Sequence, residues 1–332
     1  MIIRYFFTRI IYFFLTLYTA FTITYILIRL MPVDAVENII AQMTAQGQVY
    51  DPAALNELRQ QLYEIFGFTG SPIEQYFRYL LSIFTLNFGP SILAFPTPSI
   101  ELIWRQLPWT IGLLTVSVVI SWVAGNLIGI IASVREGSRI SKILQAVALT
   151  IYPIPYYIMA LILIFFFAYL IPLFPLTGST AIFEEINLDT VINIVKGATL
   201  PALSIIIVSM LGWWFLSSRI LTLNTLSEDF IEYAMIRGLP WRHIFRRYLM
   251  KNILLPQVTA LGLALGSIFS GAILTEVVFA YPGLGQLLYR AISNGDISTA
   301  LGIVTLSIYA VALATLILDL IYPLIDPRVR YK

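Results

Sequence analysis

Residues 106–134, QLPWTIGLLTVSVVISWVAGNLIGIIASV, run for 29 positions without an Asp, Glu, Lys or Arg. About 20 apolar residues are enough for a helix to cross the hydrocarbon of a bilayer, so this stretch reads as a spanning helix. Six more charge-free runs lie at 10–28, 79–100, 143–183, 197–218, 252–275 and 297–318. Of the 332 residues, 59% are hydrophobic and 11% charged, whereas a soluble domain carries roughly a quarter charged residues. A water-soluble fold has nowhere to put that much apolar surface, and an all-α membrane protein follows.

Not every run is a span. The run 79–100 holds Asn87, Gly89, Pro90, Pro96 and Pro98, which as a lone span would leave backbone groups unpaired in lipid. It reads as an interfacial or external segment. The run 143–183 is 41 residues long and has room for two spans, but Pro172, Pro175 and Gly178 break its second half, so one span plus the start of a loop is simpler. The first run follows Arg4 and Arg9, as a signal peptide would. Its 19 apolar positions exceed a typical signal core and no small-x-small cleavage site precedes Pro32, so it is expected to stay as the first span. Six spans remain. The chain has no cysteine, which removes disulfides and thiolate metal sites.

The net charge of +2 conceals an asymmetry. With six spans, 14 of the 20 Lys and Arg fall on the side of the N-terminus, and basic residues concentrate in the cytoplasm. Both termini are therefore expected in the cytoplasm, in a cell membrane crossed several times. Dividing 143–183 into two spans would put Arg237 to Lys251 on the opposite side from the equally basic N-terminus.

The expected organisation is a tail and first span over 1–31, an external segment over 32–105, and a five-helix core over 106–332 that contains a cytoplasmic loop at 223–255. In the external segment Asp51 and Pro52 suit a helix start. Leu55, Leu58, Leu62 and Ile65 then recur at helical spacing before Gly67. This amphipathic helix either lies on the membrane surface or covers the ends of the spans. A loop from about 172 to 198, with Glu184, Glu185 and Asp189, joins spans three and four outside. In the cytoplasmic loop, Thr225 or Ser227 suits an N-cap, with Glu228 and Asp229 in the first turn. Gly238 suits a left-handed C′ position and Pro240 follows it, so a second, basic helix is predicted from about Trp241. Two helices about a glycine turn make a rigid protrusion.

The segment Glu232-Tyr233-Ala234-Met235-Ile236-Arg237-Gly238-Leu239, followed by Asn252-Ile253-Leu254-Leu255-Pro256, resembles the "EAA" loop of permease subunits of ABC importers. Tyr233 departs from the usual Ala, and the long gap from Gly238 to Pro256 is similar to the peptide and nickel branch. Arg29-Leu30-Met31-Pro32-Val33-Asp34 resembles that branch's "RLxPGDP" exit from the first span, with Val33 and Ala35 departing from it. Glu276-Val277-Val278-Phe279-Ala280-Tyr281-Pro282-Gly283-Leu284-Gly285 resembles "ETVFSWPGLG". Asp319-Leu320 with Asp326-Pro327-Arg328-Val329-Arg330 resembles "DLLYxxLDPRIR". Leu86-Asn87-Phe88-Gly89-Pro90-Ser91 departs from the usual "GDLGxS".

The resemblance implies the type I ABC importer permease fold: six transmembrane helices with an external segment after the first. It implies a homologous second permease subunit, two ABC ATPase subunits that bind ATP and Mg, and an external substrate-binding protein delivering di- and oligopeptides, oligosaccharides or nickel chelates. It also implies that Glu232, Ala234, Arg237, Gly238, Leu239, Arg242 and Arg246 form the ATPase-docking loop.

Each residue also has a plainer reading. Glu232 either meets a basic residue of an ATPase or forms an intrahelical pair. Arg242, Arg246 and Arg247 also suit the headgroups of membrane lipids. Glu276, an acid near the membrane boundary, either receives a peptide amino group or ties neighbouring spans, and it and Tyr281, which follows in a turn, are candidates for the pathway or its gate. Pro153 and Pro155 sit inside span three, where they bend the helix and shape either the pathway or the packing. Asp319 is expected to pair with a basic residue, and His243, the lone histidine, lies on the loop surface. There is no HExxH, GxSxG or GxxxxGK[ST] motif. No catalytic residue, metal site, cofactor in this chain or nucleic-acid partner is expected. An intramembrane enzyme would need more polar groups than the spans hold. An ion-driven secondary transporter would be expected to carry an internal repeat, and none is evident.

Overall fold

A computed structural model describes residues 2–30, 35–45, 51–66, 69–178, 187–266, 268 and 272–325. Met31 to Asp34, Gly67, the acids Glu184 and Glu185, and the tail from Asp326 to Arg330 lie outside the described residues. Among the described residues the secondary structure is helical, with one isolated bridge between Pro90 and Pro98.

Five stretches are long and apolar enough to cross a bilayer: Tyr5–Arg29, Ser99–Val134, Leu188–Leu226, Trp241–Gly266 and Ile297–Ile321. They belong to α1 (Ile2–Arg29), α5 (Ser99–Val134), α8 and α9 (Leu188–Ser209 and Phe215–Leu226), α11 and α12 (Trp241–Ile244 and Met250–Gly266), and α15 (Ile297–Ile325). Wide π-helical turns at Met210–Trp214 and Phe245–Leu249 join α8 to α9 and α11 to α12 without interrupting them. The run 79–100 is not a span. It begins in α4 (Pro72–Thr85), turns at Leu86 in the left-handed region (φ 54°) and enters α5 at Ser99.

The expected third span is broken, where the sequence predicted a bent helix. α6 (Arg139–Ile151) and α7 (Tyr156–Ile164, extended by a π-helical turn to Leu170) meet at an angle of 100°. Pro153 and Pro155 each lack an N–H, so the ladder loses two donors within one turn. Pro155 is extended (φ −63°, ψ 148°) and stands at the N-cap of α7. The pair counts as the sixth crossing if both arms belong to one span.

The chain divides into two compact units. The first comprises residues 1–110, 269–273 and 282–332. In it α1 lies along α15, and Arg9 pairs with Asp319 at 3.2 Å, the partner expected for that acid. Tyr5 adds a hydrogen bond to Asp319 O at 3.0 Å, and Phe21 meets Tyr309 edge-on at 5.1 Å. The amphipathic helix is α3 (Pro52–Ile65). Its Leu62 is buried with Val36, Ile39 and Ile40 of α2 (Ala35–Ala45), and Leu55 and Leu58 pack on them. Three of its four apolar positions are thus covered by a neighbouring short helix, while Ile65 is exposed. Asp51 stands at the N-cap, but its side chain makes no capping bond.

The second unit comprises residues 111–268 and 274–281. Gly125 and Gly129, one turn apart on α5, leave room for the chain at the α8–α9 junction. A Cβ on Gly125 would stand 2.7 Å from Met210 O, and one on Gly129 2.7 Å from Phe215 O. Ser218 Oγ donates to Asn126 O at 3.2 Å, Trp122 Nε1 to Gln257 O at 3.0 Å, and Gln257 Nε2 to Ser217 Oγ at 2.8 Å. Lipid is as apolar as leucine, so close backbone packing and interhelical hydrogen bonds hold such a seam.

Candidate functional site

Between the α8–α9 and α11–α12 stretches the chain folds as predicted in outline, a helix, a glycine turn and a second helix. α10 (Asp229–Ile236) ends at Arg237, and Gly238 is left-handed (φ 70°) with open space where a Cβ would be. α11 begins at Trp241 after Pro240 and continues into α12, so the basic second helix is one end of a spanning stretch.

The capping expectation fails. Thr225 Oγ1 donates to Leu221 O at 2.7 Å and Ser227 Oγ to Asn224 O at 2.9 Å, so both hydroxyls serve α9. Glu228 occupies the N-cap of α10 without a side-chain bond. Only Asp229 and Glu232 lie in the first turn, where carboxylates suit the positive end of the helix dipole.

The loop has its own small core. Ile231, Ala234 and Ile244 are buried together, with Leu239 and Tyr248 packed on them. Its base is a second cluster, Ile130 of α5 with Leu249 and Ile253, joined by Val134, Leu221, Leu226, Phe245 and Met250. Of the seven residues the resemblance singles out, Ala234 and Leu239 therefore build the interior. Glu232, Arg237, Gly238, Arg242 and Arg246 lie on the surface. Among the described residues Glu232 has no ion-pair partner, which leaves its carboxylate available. Arg237 stacks over the Tyr233 ring at 5.7 Å, so the aromatic residue at the departing position holds a guanidinium in place.

Sequence reading missed the apolar surface of this loop. Ile236 is 76% and Tyr233 61% exposed, and Met235, Trp241 and Phe230 are also exposed. Their signal was present, because Tyr233 and Ile236 fall out of phase with the buried pair Ile231 and Ala234.

The second expected site is the turn after α13 (Ile273–Val278), where Glu276, Phe279 and Tyr281 are buried. Tyr281 N donates to Glu276 O at 2.8 Å, and Ala280 takes a positive φ of 47°. Gly178 N donates to Phe279 O at 2.5 Å, and a Cβ on Gly178 would stand 2.8 Å from Tyr281 Cα. Burial, and then the charge of Glu276, push the Tyr281 phenol above the usual tyrosine range, so it stays protonated. Pro153 and Pro155 are exposed in the break between α6 and α7.

Two further polar centres were not anticipated. Arg219 of α9, 7% exposed, donates to Ser141 Oγ at 3.1 Å and Gln145 Oε1 at 3.3 Å, and reaches Glu136 at 3.5 Å. In the first unit the buried Asp296 accepts from Ser91 Oγ, Leu93 N (3.2 Å), Thr299 N (3.0 Å) and Thr299 Oγ1 (2.8 Å). It thereby caps α15 and ties residues 91–93 to it.

The family model described as "binding-protein-dependent transport system inner membrane component" matches residues 125–331. The chain belongs to this family. The permease is also similar over nearly its whole length to named proteins. It is 31% identical over 323 residues, 92% of each chain, to the probable D,D-dipeptide transport system permease protein DdpB of Escherichia coli. It is 28% identical to the di/tripeptide transport system permease protein DppB of Pseudomonas aeruginosa, covering 93% of this chain and 94% of that one. Against the oligopeptide transport system permease protein AppB of Bacillus subtilis it is 28% identical, covering 85% and 88%. The permease is thus a multi-pass membrane protein and one component of an ABC transport system with other subunits.

Proposed function

We propose that this chain is the permease subunit of an ATP-driven importer of di- and oligopeptides, pairing with a homologous permease to line the pathway. The observation that carries the reading is the α10–α11 surface: Tyr233, Ile236 and Trp241 exposed beside Arg237, Arg242, Arg246 and Glu232, which has no ion-pair partner among the described residues. Aromatic residues, Met and Arg are enriched at protein interfaces, and exposed apolar side chains held rigidly among charges suit a protein partner better than lipid. That partner is an ABC ATPase subunit, which binds ATP and Mg. The excess of Lys and Arg on one side supports a cytoplasmic position for the loop and both termini.

Peptide as substrate draws on the three relatives, each named for peptide transport. A binding protein on the other face delivers it. Glu276, buried beside Tyr281, acts here in fastening the turn after α13, and Pro153 and Pro155 set the break that shapes the pathway wall. The same machinery accommodates oligosaccharides or nickel chelates when the binding protein presents them.

The test is uptake by the reconstituted complex with and without ATP. Peptide uptake that requires ATP and is lost on deleting residues 228–247 supports the reading. Uptake that persists without ATP in the deletion variant overturns it.

A further inference from the structure

α4 has two faces. Tyr76, Tyr79, Leu80 and Ile83 pack with Leu17 and Phe21 of α1 and with Tyr309 and Ala312 of α15. Ile73, Phe77, Leu81 and Phe84 are 63–77% exposed, and their spacing of four, four and three residues makes them one stripe. In water, four large apolar side chains in line are an aggregation surface.

The register against α1 sets the depth of this stripe. Arg29 closes the charge-free run of α1 and marks the membrane boundary. Arg29 Nη1 donates to Gln75 Oε1 at 2.5 Å, and Tyr25 OH to Pro72 O at 2.9 Å. The Thr22 and Tyr76 hydroxyls share a bond at 2.8 Å, and the Tyr25 and Tyr79 rings stack at 5.5 Å. Ile83 then joins Leu17 and Phe21 in one buried cluster. So α4 runs antiparallel to α1, from Arg29 to a level roughly 12–18 Å further along the axis of α1. That is about half of a 30 Å hydrocarbon core.

The polar groups of α4 fit such a descent. Arg78 turns back nine residues to donate to Thr69 O and Thr69 Oγ1, as a long basic side chain does when its stem lies in lipid. The Glu74 carboxylate accepts from Ser71 N at 3.0 Å. Beyond Arg78 no charge follows until Glu101. Ser82 Oγ donates to Tyr79 O at 2.7 Å and Thr85 Oγ1 to Leu81 O at 3.0 Å, so these hydroxyls need no water.

We propose that α4 is a re-entrant helix that dips into the leaflet on the Arg29 side, its stripe of Ile73, Phe77, Leu81 and Phe84 facing lipid acyl chains. The chain then climbs back along α15, with Phe88 beside Gly302 and Ser91 on Asp296.

The absence of cysteine allows a direct test. Single cysteines replace Ile73, Phe77, Leu81 and Phe84 in the assembled transporter in lipid nanodiscs, carry a nitroxide, and are read by collision with oxygen and with a water-soluble nickel chelate. Glu57→Cys serves as the water reference and Leu15→Cys on α1 as the lipid reference. Oxygen collisions are expected to exceed nickel collisions at Leu81 and Phe84, as at Leu15, with Ile73 intermediate. Nickel collisions at all four positions equal to those at Glu57 overturn the proposal in favour of a helix in water. Low collision with both reagents at all four overturns it in favour of a covering protein.

Discussion

Gly129 and Gly112 look alike in the sequence, each a glycine within one long apolar helix. In the structure a Cβ on Gly129 meets Phe215 O at 2.7 Å, whereas nothing lies within 4 Å of one on Gly112. Gly129→Val must push α5 and α9 apart, at a cost of about 1–3 kcal/mol. We expect the thermal midpoint of the purified protein to fall by several degrees for Gly129→Val and to stay unchanged for Gly112→Ala. Asp296→Ala leaves Ser91 Oγ and the Thr299 N–H without their acceptor, a loss of about 1–3 kcal/mol in a buried setting, again read as a lower midpoint. Neither centre was anticipated, for different reasons. Gly125 and Gly129 form a small-xxx-small pattern that was there to be read. The bonds of Asp296 to Thr299 are a local N-cap, but its tie to Ser91, some two hundred residues away, follows from no local pattern.

Among elements, the α10–α11 pair divides its apolar residues into two sets with opposite behaviour. Ile231 and Ala234 are buried, while Ile236 and Trp241 are exposed. Ala234→Asp puts an unpaired charge into the small core and is expected to lower the stability of the permease. Ile236→Asp and Trp241→Ala are expected to leave stability alone and weaken co-purification of the ATPase subunits; retention of the ATPase at wild-type levels would count against the docking surface. The Gly238 turn was legible because glycine and proline have strong backbone preferences. The N-cap was not, since a Thr or Ser hydroxyl serves the helix before it as readily as the helix after it. A bend at Pro153 and Pro155 was expected, but the full break and its 100° angle depend on how α6 and α7 pack, which proline alone does not specify.

For the whole molecule, span positions were legible because the bilayer imposes a length on any charge-free helix. Sidedness rests on the distribution of basic residues, and a labelling experiment checks it. Arg135→Cys and Asp189→Cys, one on each proposed side, should react with a membrane-impermeant maleimide from opposite faces, Arg135→Cys only after the cytoplasmic face is opened. Reaction of both from the same face would remove the cytoplasmic placement of the α10–α11 loop. What the sequence could not supply was the companion of each element: α2 for α3, and α1 with α15 for α4.

The unbroken stretch Trp241–Gly266 also has a mechanical consequence. It is held from Leu249 to Gln257, by Leu249 and Ile253 against Ile130 and by Gln257 on Trp122 and Ser217, near its middle. Taking that contact as a fulcrum, the arm towards Trp241 is roughly 18 Å long and the arm towards Gly266 roughly 20 Å. A rigid tilt that moves the loop end by about 2 Å therefore swings the far end by about 2 Å in the opposite direction. A push on the loop end would arrive at the other end undiminished and reversed in sense.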